Sequence, residues 1–340
     1  MKSLSILPVV LFLGAGFTPA RIAAAQSFSF VTVDVPCEAC PGGIARRTSV
    51  GGINPDGDIV GAYTDAVGKQ NGFLLSDGRF TTIDVPGSLA GATGILPTVA
   101  RGIGLSGDIV GQYTAPVSSA PLGSPDYCPA VGSTACIKGF LYRHGKFSTV
   151  LFPGHPGAIV AAITPAGDMY GCYHDFDVMG SMFSAAWTRS GDVSIAAGGG
   201  ELTDPSASYP VSMHTGVTPD GRTVVGFYGT HGYILENGIL RRYDVPNSIS
   251  TSVFDITPAG HEIVGAYVDS GGKNHGFLQL PNQSSPITID VPSTPPFNAV
   301  GTIIYGVNPD GVIVGNYTDS GGHTHGFFGV PAEHEDNSDR

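Results

Sequence analysis

The sequence predicts an all-β protein, and more narrowly a six-bladed β-propeller built from four-stranded blades. Gly (50 residues) and Pro (26) are abundant, yet hydrophobic residues make up 41% of the 340 positions. A disordered chain rich in Gly and Pro would lack that apolar fraction, so a buried core is expected. Only 13% of residues are charged, which disfavours solvent-facing helices. Short β-branched and aromatic runs separated by turn residues are typical of strands.

One strand motif recurs six times and gives the blade count. It consists of two aliphatic residues, Gly, any residue and Tyr, with a looser copy third. The copies are Ile59–Tyr63, Ile109–Tyr113, Met169–Tyr173, Val224–Tyr228, Ile263–Tyr267 and Ile313–Tyr317. Their spacing varies, which favours blades with variable loops over the alternative, a regularly stacked β-solenoid.

Each motif lies inside a larger unit with four predicted strands. A turn such as Asn54-Pro55-Asp56-Gly57 precedes it, because Pro and Gly supply the backbone angles that close a hairpin. A Gly-aromatic-aliphatic strand such as Gly72–Leu74 follows, and then a strand ending in Asp-Val-Pro, such as Ile83–Pro86. The predicted repeats span residues 28–78, 79–145, 146–191, 192–238, 239–281 and 287–331, before an acidic flexible tail at 332–340.

Ring closure is predicted from the two ends of the repeat region. An Asp-Val-Pro strand, Phe30–Pro36, comes before the first motif, whereas no such strand follows the last Gly-aromatic strand at 326–328. Pairing between these two strands would complete the last blade and leave no open sheet edge.

Residues 1–25 have the pattern of a signal peptide, with cleavage expected near Ala25-Gln26. An uncleaved N-terminal anchor is the alternative. We expect a secreted or periplasmic protein without membrane insertion, since no later segment reaches 18 apolar residues. The formal charge of −12 makes nucleic acid a poor partner.

The cysteine pattern fits an oxidising compartment. Two pairs are close in sequence, and each is predicted to close a small loop as a disulfide: Cys37 with Cys40, and Cys128 with Cys136. A Cys-x-x-Cys segment is also compatible with a redox or zinc element. Cys172, inside the third motif, is expected to be a free packed thiol.

The recurring pattern Gly-Ile-Asn-x-x-Gly-x-Ile-Val-Gly-x-Tyr, followed by His-Gly-Phe-Leu, resembles the bacterial extracellular repeats of the HAF family. The resemblance covers residues 28–331, with Gly in place of the Ala of the His-Ala-Phe tripeptide at His275–Phe277 and His325–Phe327. Asn71 and Lys138 replace the His in two copies. The resemblance implies export and a β-repeat architecture, and it brings no established catalytic residues.

Four aspartates are candidate ligand-binding residues, because each falls two positions after the motif Tyr, where carboxylates on one rim could bind Ca²⁺ or sugar hydroxyls. They are Asp65, Asp175, Asp269 and Asp319. The alternative is that each carboxylate caps a Gly turn. Four further aspartates precede Val-Pro and are interpreted as strand-edge charges: Asp34, Asp84, Asp244 and Asp290.

Two other kinds of site have weaker support. His231, His275 and His325 occupy one repeat position, which places them on different blades and argues against a shared zinc ion. We expect each to begin its strand and bond nearby backbone. A glycosidase pair is conceivable from Asp175 or Asp177 with Glu201, but no catalytic residue is assigned.

The sequence therefore favours a secreted, non-catalytic, monomeric module that binds carbohydrate or protein. The alternative is a secreted hydrolase or lyase acting on a polysaccharide.

Overall fold

The structure is a computed structural model, and it describes residues 27–121, 124, 127–128, 135–155, 157–174, 181–188, 193–195 and 211–332. These residues form 24 β-strands and two short 3-10 helices, Pro41–Gly43 and Gly87–Ala90. In chain order the strands are β1 (Phe28–Val33), β2 (Arg47–Ile53), β3 (Ile59–Thr64), β4 (Gln70–Ser76), β5 (Arg79–Ile83), β6 (Thr98–Ile103), β7 (Ile109–Pro116), β8 (Ala135–Arg143), β9 (Lys146–Val150), β10 (Gly157–Ile163), β11 (Met169–His174), β12 (Met182–Trp187), β13 (Val193–Ile195), β14 (Ser212–Val217), β15 (Thr223–Tyr228), β16 (His231–Glu236), β17 (Ile239–Tyr243), β18 (Ser250–Ile256), β19 (Ile263–Val268), β20 (Asn274–Gln279), β21 (Ile287–Ile289), β22 (Ala299–Val307), β23 (Ile313–Asp319) and β24 (Thr324–Pro331).

The strands form six antiparallel sheets of four, which are the blades of a propeller. Blades 1 to 5 each take four consecutive strands, from β2–β5 to β18–β21, and blade 6 has the order β22-β23-β24-β1. The predicted six-bladed propeller is therefore confirmed. In blades 1, 4, 5 and 6 the outermost strand is the one that leads into Asp-Val-Pro. The structural blades are therefore shifted by one strand from the sequence repeats.

The N-terminal strand closes the ring, as predicted. Strand β1 pairs with β24 along its whole length, from Phe28 opposite Pro331 to Val33 opposite Gly326. Thr32 Oγ1 and the Tyr317 hydroxyl, 3.0 Å apart, add a side-chain hydrogen bond across this blade. The last sheet thus gains its fourth strand from the opposite end of the described chain.

Close packing explains why the motif Gly is needed in the second strand. A Cβ on Gly61 would lie 2.2 Å from the carbonyl oxygen of Ser49 and 2.7 Å from the ring of Phe73. The aromatic residue of the third strand lies over that Gly and is fully buried. Gly and the aromatic residue are therefore a matched pair that allows neighbouring strands to stack.

The connections divide the molecule into two faces. The turn face carries the connections between the first and second strands and between the third and fourth, such as the turn at 54–58. The loop face carries all other connections, including Cys37–Cys40 (Cα–Cα 5.3 Å) and Cys128–Cys136 (5.8 Å), which the structure joins as disulfides. No helix in the described part of the chain is long and apolar enough to span a membrane.

Candidate functional site

The innermost strand of every blade contains one extra residue at the same place. The pairing with the second strand skips a residue there, which is a β-bulge. A bulge redirects its side chain and increases the local twist. The six bulge residues are Gly51, Arg101, Ala161, Thr215, Phe254 and Tyr305, and all but Phe254 line the central channel. A single repeated backbone irregularity therefore aims chemically different side chains at the axis of the ring.

Arg101 brings a positive charge into this channel. Its Nε donates to Gln112 Oε1 at 2.7 Å, from the neighbouring strand of blade 2. Among the described residues no carboxylate forms an ion pair with it. Burial lowers the pKa of Arg101 below its ordinary value, although the group remains charged at neutral pH. The guanidinium is thus held in place by one amide and keeps donors for another group.

Asp255 brings a carboxylate into the same channel from blade 5. It occupies the position directly after the bulge, where the other blades have Gly or Ala. Its Oδ2 accepts from Val307 N at 3.0 Å and its Oδ1 from Ile256 N at 2.8 Å. Burial raises the pKa of this carboxyl to about 7, against the opposing effect of the two backbone donors. A Cβ on Gly216 would lie 2.9 Å from Asp255 Oδ1, so the Gly in blade 4 makes room for the carboxylate.

The channel has a cavity volume of about 90 Å³ and opens to solvent. Its mouth on the turn face is lined by the first turn residue of each blade, Pro in five blades and Leu in one: Pro55, Leu105, Pro165, Pro219, Pro258 and Pro309. We call this ring the proline collar. It places a rigid apolar rim at the mouth of a channel into which Arg101, Asp255 and Tyr305 bring polar groups.

Tyr305 separates the channel from a second cavity, which Arg47, Asn274 and Asn316 also line. Its ring packs against Phe254 with centroids 4.7 Å apart. Burial raises the pKa of the Tyr305 phenol, while Arg101 and Arg47 act in the opposite direction. The phenol is therefore a neutral hydrogen-bonding group beside Arg101.

The structure places three of the four predicted rim aspartates in loop-face turns. In each, Oδ1 accepts backbone N–H groups: Asp65 from Val67 and Lys69, Asp269 from Gly271 and Lys273, and Asp319 from His323, all at 2.8–3.0 Å. This is the turn-capping geometry that the alternative interpretation describes. The fourth, Asp175, lies outside the described residues, as do Asp177 and Glu201.

Two of the histidines contact carboxylates rather than backbone, which corrects the sequence-based expectation. His275 Nδ1 lies 2.7 Å from Asp290 Oδ2, and its Nε2 lies 3.3 Å from Asp269 Oδ2. In blade 6, His325 lies in the same way between Asp34 (2.9 Å) and Asp319 (3.5 Å). The rim aspartates and the strand-edge aspartates therefore belong to one hydrogen-bonded set within each blade.

The remaining blades use variations of this arrangement. His231 contacts Asp244 at 3.2 Å, and in blade 1 Lys69 Nζ contacts Asn71 (2.8 Å) and Asp84 (3.2 Å). Different blades do not pool their carboxylates, and the described residues contain no group of three His, Cys, Asp or Glu side chains that could hold a metal ion. The loop-face acids therefore contact partners within their own blade.

Sequence reasoning missed the channel residues Arg101, Asp255 and Tyr305. A signal for them was present in the repeat alignment. The bulge column contains an Arg, a Phe and a Tyr among small residues, and the next column contains one Asp among Gly and Ala. Each blade folds with its own residue in these two columns, so the unusual residues are not required for folding. Because equivalent columns occupy equivalent places in every blade, the unusual residues all lie at the same level of the channel.

Neither a known protein family nor a curated relative matches this sequence. Solved structures do resemble it. TolB from Acinetobacter baumannii is 13% identical with a TM-score of 0.47, covering 82% of this chain, which spans 64% of the TolB chain. A mutant of AofleA from Arthrobotrys oligospora is 12% identical with a TM-score of 0.47, covering 90% of this chain and 88% of its own. The Aleuria aurantia lectin is 10% identical with a TM-score of 0.45, covering 84% and 94%. The molecule is thus defined by its own geometry as a six-bladed propeller with polar side chains in its central channel.

Proposed function

We propose that this protein is an exported, non-catalytic binding module of the HAF type, and that its central channel holds the anionic group of a small ligand. Export follows from the signal-like residues 1–25 and the paired cysteines of the loop face. The HAF assignment depends on the repeated Gly-x-Tyr and His-Gly-Phe segments. The binding role depends on the channel.

The observation that carries the proposal is the uncompensated charge of Arg101. Desolvating a charge without a partner costs several kcal/mol, and structures normally offset that cost with an ion pair. The Arg101 guanidinium has one amide partner through Nε and no carboxylate partner among the described residues. A carboxylate can accept two parallel hydrogen bonds from such a guanidinium, which supplies the missing partner with the best available geometry.

The surroundings of Arg101 restrict the ligand further. The channel volume of about 90 Å³ suits the carboxylate end of a small molecule rather than a whole drug-sized ligand. The proline collar offers apolar contact at the mouth, so the ligand should combine a carboxylate with an apolar body. Asp255 is largely neutral below about pH 7, because burial raises its pKa, and it would then donate rather than repel.

Binding is proposed instead of polysaccharide hydrolysis because the described channel lining contains one carboxylate, Asp255. Glycosidases of the common type use two, placed on either side of the scissile bond. The loop-face aspartates are weaker candidates for Ca²⁺ or sugar, since one oxygen of Asp65, Asp269 and Asp319 already accepts backbone N–H groups.

Thermal unfolding with phenylacetate, compared with neutral phenylacetamide, tests the proposal. At about pH 6 the ligand is ionised and Asp255 is mostly neutral. Phenylacetate at about 100 times its Kd should add about 2.7 kcal/mol and raise Tm by about 2 °C or more. Phenylacetamide should have no effect, and the phenylacetate shift should shrink at about pH 8.

Two variants locate the effect. Arg101→Gln should abolish the phenylacetate shift, whereas Arg222→Gln, an exposed arginine on the turn face, should preserve it. Equal shifts from the acid and the amide, or a shift that survives in Arg101→Gln, would show that the channel is not an anion site. Adding Ca²⁺ or EDTA in the same assay tests the loop-face aspartates separately.

A further inference from the structure

Three soft donor atoms lie together at the loop-face end of blade 3. Cys172 Sγ is 4.0 Å from His174 Nε2 and 4.0 Å from Met182 Sδ. Cys172 is the free cysteine of the described chain, and it is fully buried. His174 and Met182 each keep some exposed surface, so the cluster is reachable from the loop face.

Strand pairing places these three side chains on one face of the blade. Cys172 and His174 are two residues apart on β11, so they point the same way. Met182 on β12 is the direct partner of His174 in the ladder. Across the other neighbour, His174 faces Gly157, where a Cβ would lie 3.0 Å from His174 Cβ. The Gly therefore leaves space for the imidazole.

The surroundings add a second thioether. Met213 belongs to the same apolar cluster as Cys172 and Ile159, with Met182 packed against it. The described residues offer no three-member His, Cys, Asp or Glu group here. The donor set is thus one thiol, one imidazole and thioethers, a soft combination that selects Cu(I) among biological metals.

The two donor separations from Cys172 Sγ fit three-coordinate binding. Metal–sulfur bonds in proteins are about 2.3 Å and metal–nitrogen bonds about 2.0–2.1 Å. Donors arranged trigonally around one ion at those lengths are about 3.7–4.0 Å apart. The two measured separations from Cys172 Sγ, both 4.0 Å, need only a small inward movement.

Charge also favours a monovalent ion. Arg101 is close enough to act electrostatically on both Cys172 and His174. Cu(I) bound to a thiolate is neutral overall, whereas Zn²⁺ bound to one thiolate would leave a buried positive charge beside Arg101.

We propose that Cys172, His174 and Met182 form a Cu(I)-binding site in blade 3. This site is separate from the channel proposal, because its donors come from β11 and β12 and none of them lines the channel.

Anaerobic titration of the purified protein with Cu(I), against a chromogenic Cu(I) chelator and with ascorbate as reductant, tests the site. We expect one tightly held Cu(I) per chain, thiolate-to-copper absorption in the ultraviolet, and X-ray absorption showing sulfur and nitrogen ligands. Ag⁺ should compete for the site, and Zn²⁺ in tenfold excess should not.

The repeat itself supplies matched variants. Cys172→Ala should abolish binding and still fold, because blades 1 and 5 carry Ala62 and Ala266 at that position. His174→Thr copies blades 1, 2 and 6, and Met182→Leu preserves volume; each should weaken Cu(I) binding at least tenfold. A Cys37→Ser/Cys40→Ser variant, in which a reduced Cys-x-x-Cys pair cannot bind the metal, should bind like the wild type. Failure to compete with the chelator, or unchanged binding in Cys172→Ala, would overturn the proposal.

Discussion

Carboxylates on the loop face and in the channel have opposite surroundings. On the loop face, Asp319 accepts the backbone N–H of His323 and contacts the side chains of His323 and His325. In the channel, Asp255 has two backbone donors. Within the part of the chain that the structure describes, it has no cationic partner, and Arg101, from the blade across the ring, has no carboxylate partner. The loop-face carboxylates are neutralised by neighbouring groups of the same blade, and they stabilise the turns that contain them. The channel charges oppose folding, which indicates selection for something other than stability.

The largest expected effect is the pH dependence of the free energy of unfolding that Asp255 causes. Burial raises its pKa from 3.8 to about 7 in the folded state. The folded state therefore binds more protons than the unfolded state between about pH 4 and 7, and the contribution to stability is lost as pH rises through that window. The loss is on the order of 2–4 kcal/mol by about pH 8.

Asp255→Asn should remove that loss. Its stability in urea should not fall between about pH 4 and 8, because the amide cannot ionise. It should lie below the wild type near pH 4, because the amide nitrogen cannot accept the backbone N–H that one carboxylate oxygen accepts. Parallel stability curves for the two proteins would show that the Asp255 carboxylate is well solvated in the channel.

The next test removes the positive charge of the channel. Arg101→Met should raise the free energy of unfolding by up to about 1 kcal/mol at pH 7, because a partly buried charge with no carboxylate partner among the described residues is replaced by an apolar chain of similar length. The urea midpoint should increase at constant m value. Arg222→Met, on the exposed turn face, should stay within about 0.5 kcal/mol of the wild type. If Arg101→Met is instead less stable than the wild type, the Arg101–Gln112 hydrogen bond contributes to the stability of the fold.

A smaller effect of opposite sign is expected on the loop face. Burial tends to raise the pKa of Asp319, but the His323 N–H and the side chains of His323 and His325 outweigh it and lower the value to about 2. The stability from this group is therefore present above about pH 4 and lost as pH falls towards 2. Asp319→Asn should cost about 0.5–1 kcal/mol at pH 7 and nothing near pH 2. Urea unfolding at both pH values measures it, and an equal cost at both would assign the effect to shape rather than charge.

The fold could be predicted from the sequence because Gly-x-Tyr recurs six times. The recurring residues mark the positions at which packing restricts the residue type. Gly61 shows the reason, since no Cβ fits beneath Phe73. Ring closure was readable because one Asp-Val-Pro strand precedes the repeats and none follows. Both inferences use local patterns that repeat.

The channel site was not readable in the same way. A β-bulge adds a residue without requiring a particular side chain, so Arg101 and Tyr305 carry no local signature of facing the axis. The Cys172, His174 and Met182 cluster depends on the register between two strands joined by a loop of irregular length. The rim aspartates were found because they share a turn, but their pairing with histidines depends on contacts between the third and fourth strands.

The smallest expected effect comes from replacing the loop-face arrangement of side chains in blade 1 by the one found in blades 5 and 6. Blade 1 uses Lys69 and Asn71 between Asp65 and Asp84, where blades 5 and 6 place a single His between the same two aspartates. Asn71→His should therefore recreate the arrangement of His275, with a change in unfolding free energy within about 0.5 kcal/mol at pH 7. The variant should gain stability relative to the wild type as pH falls to about 5, because a protonated imidazole between two carboxylates is favoured. A loss larger than about 1 kcal/mol would mean that Lys69, not the histidine position, determines how each blade neutralises its acids.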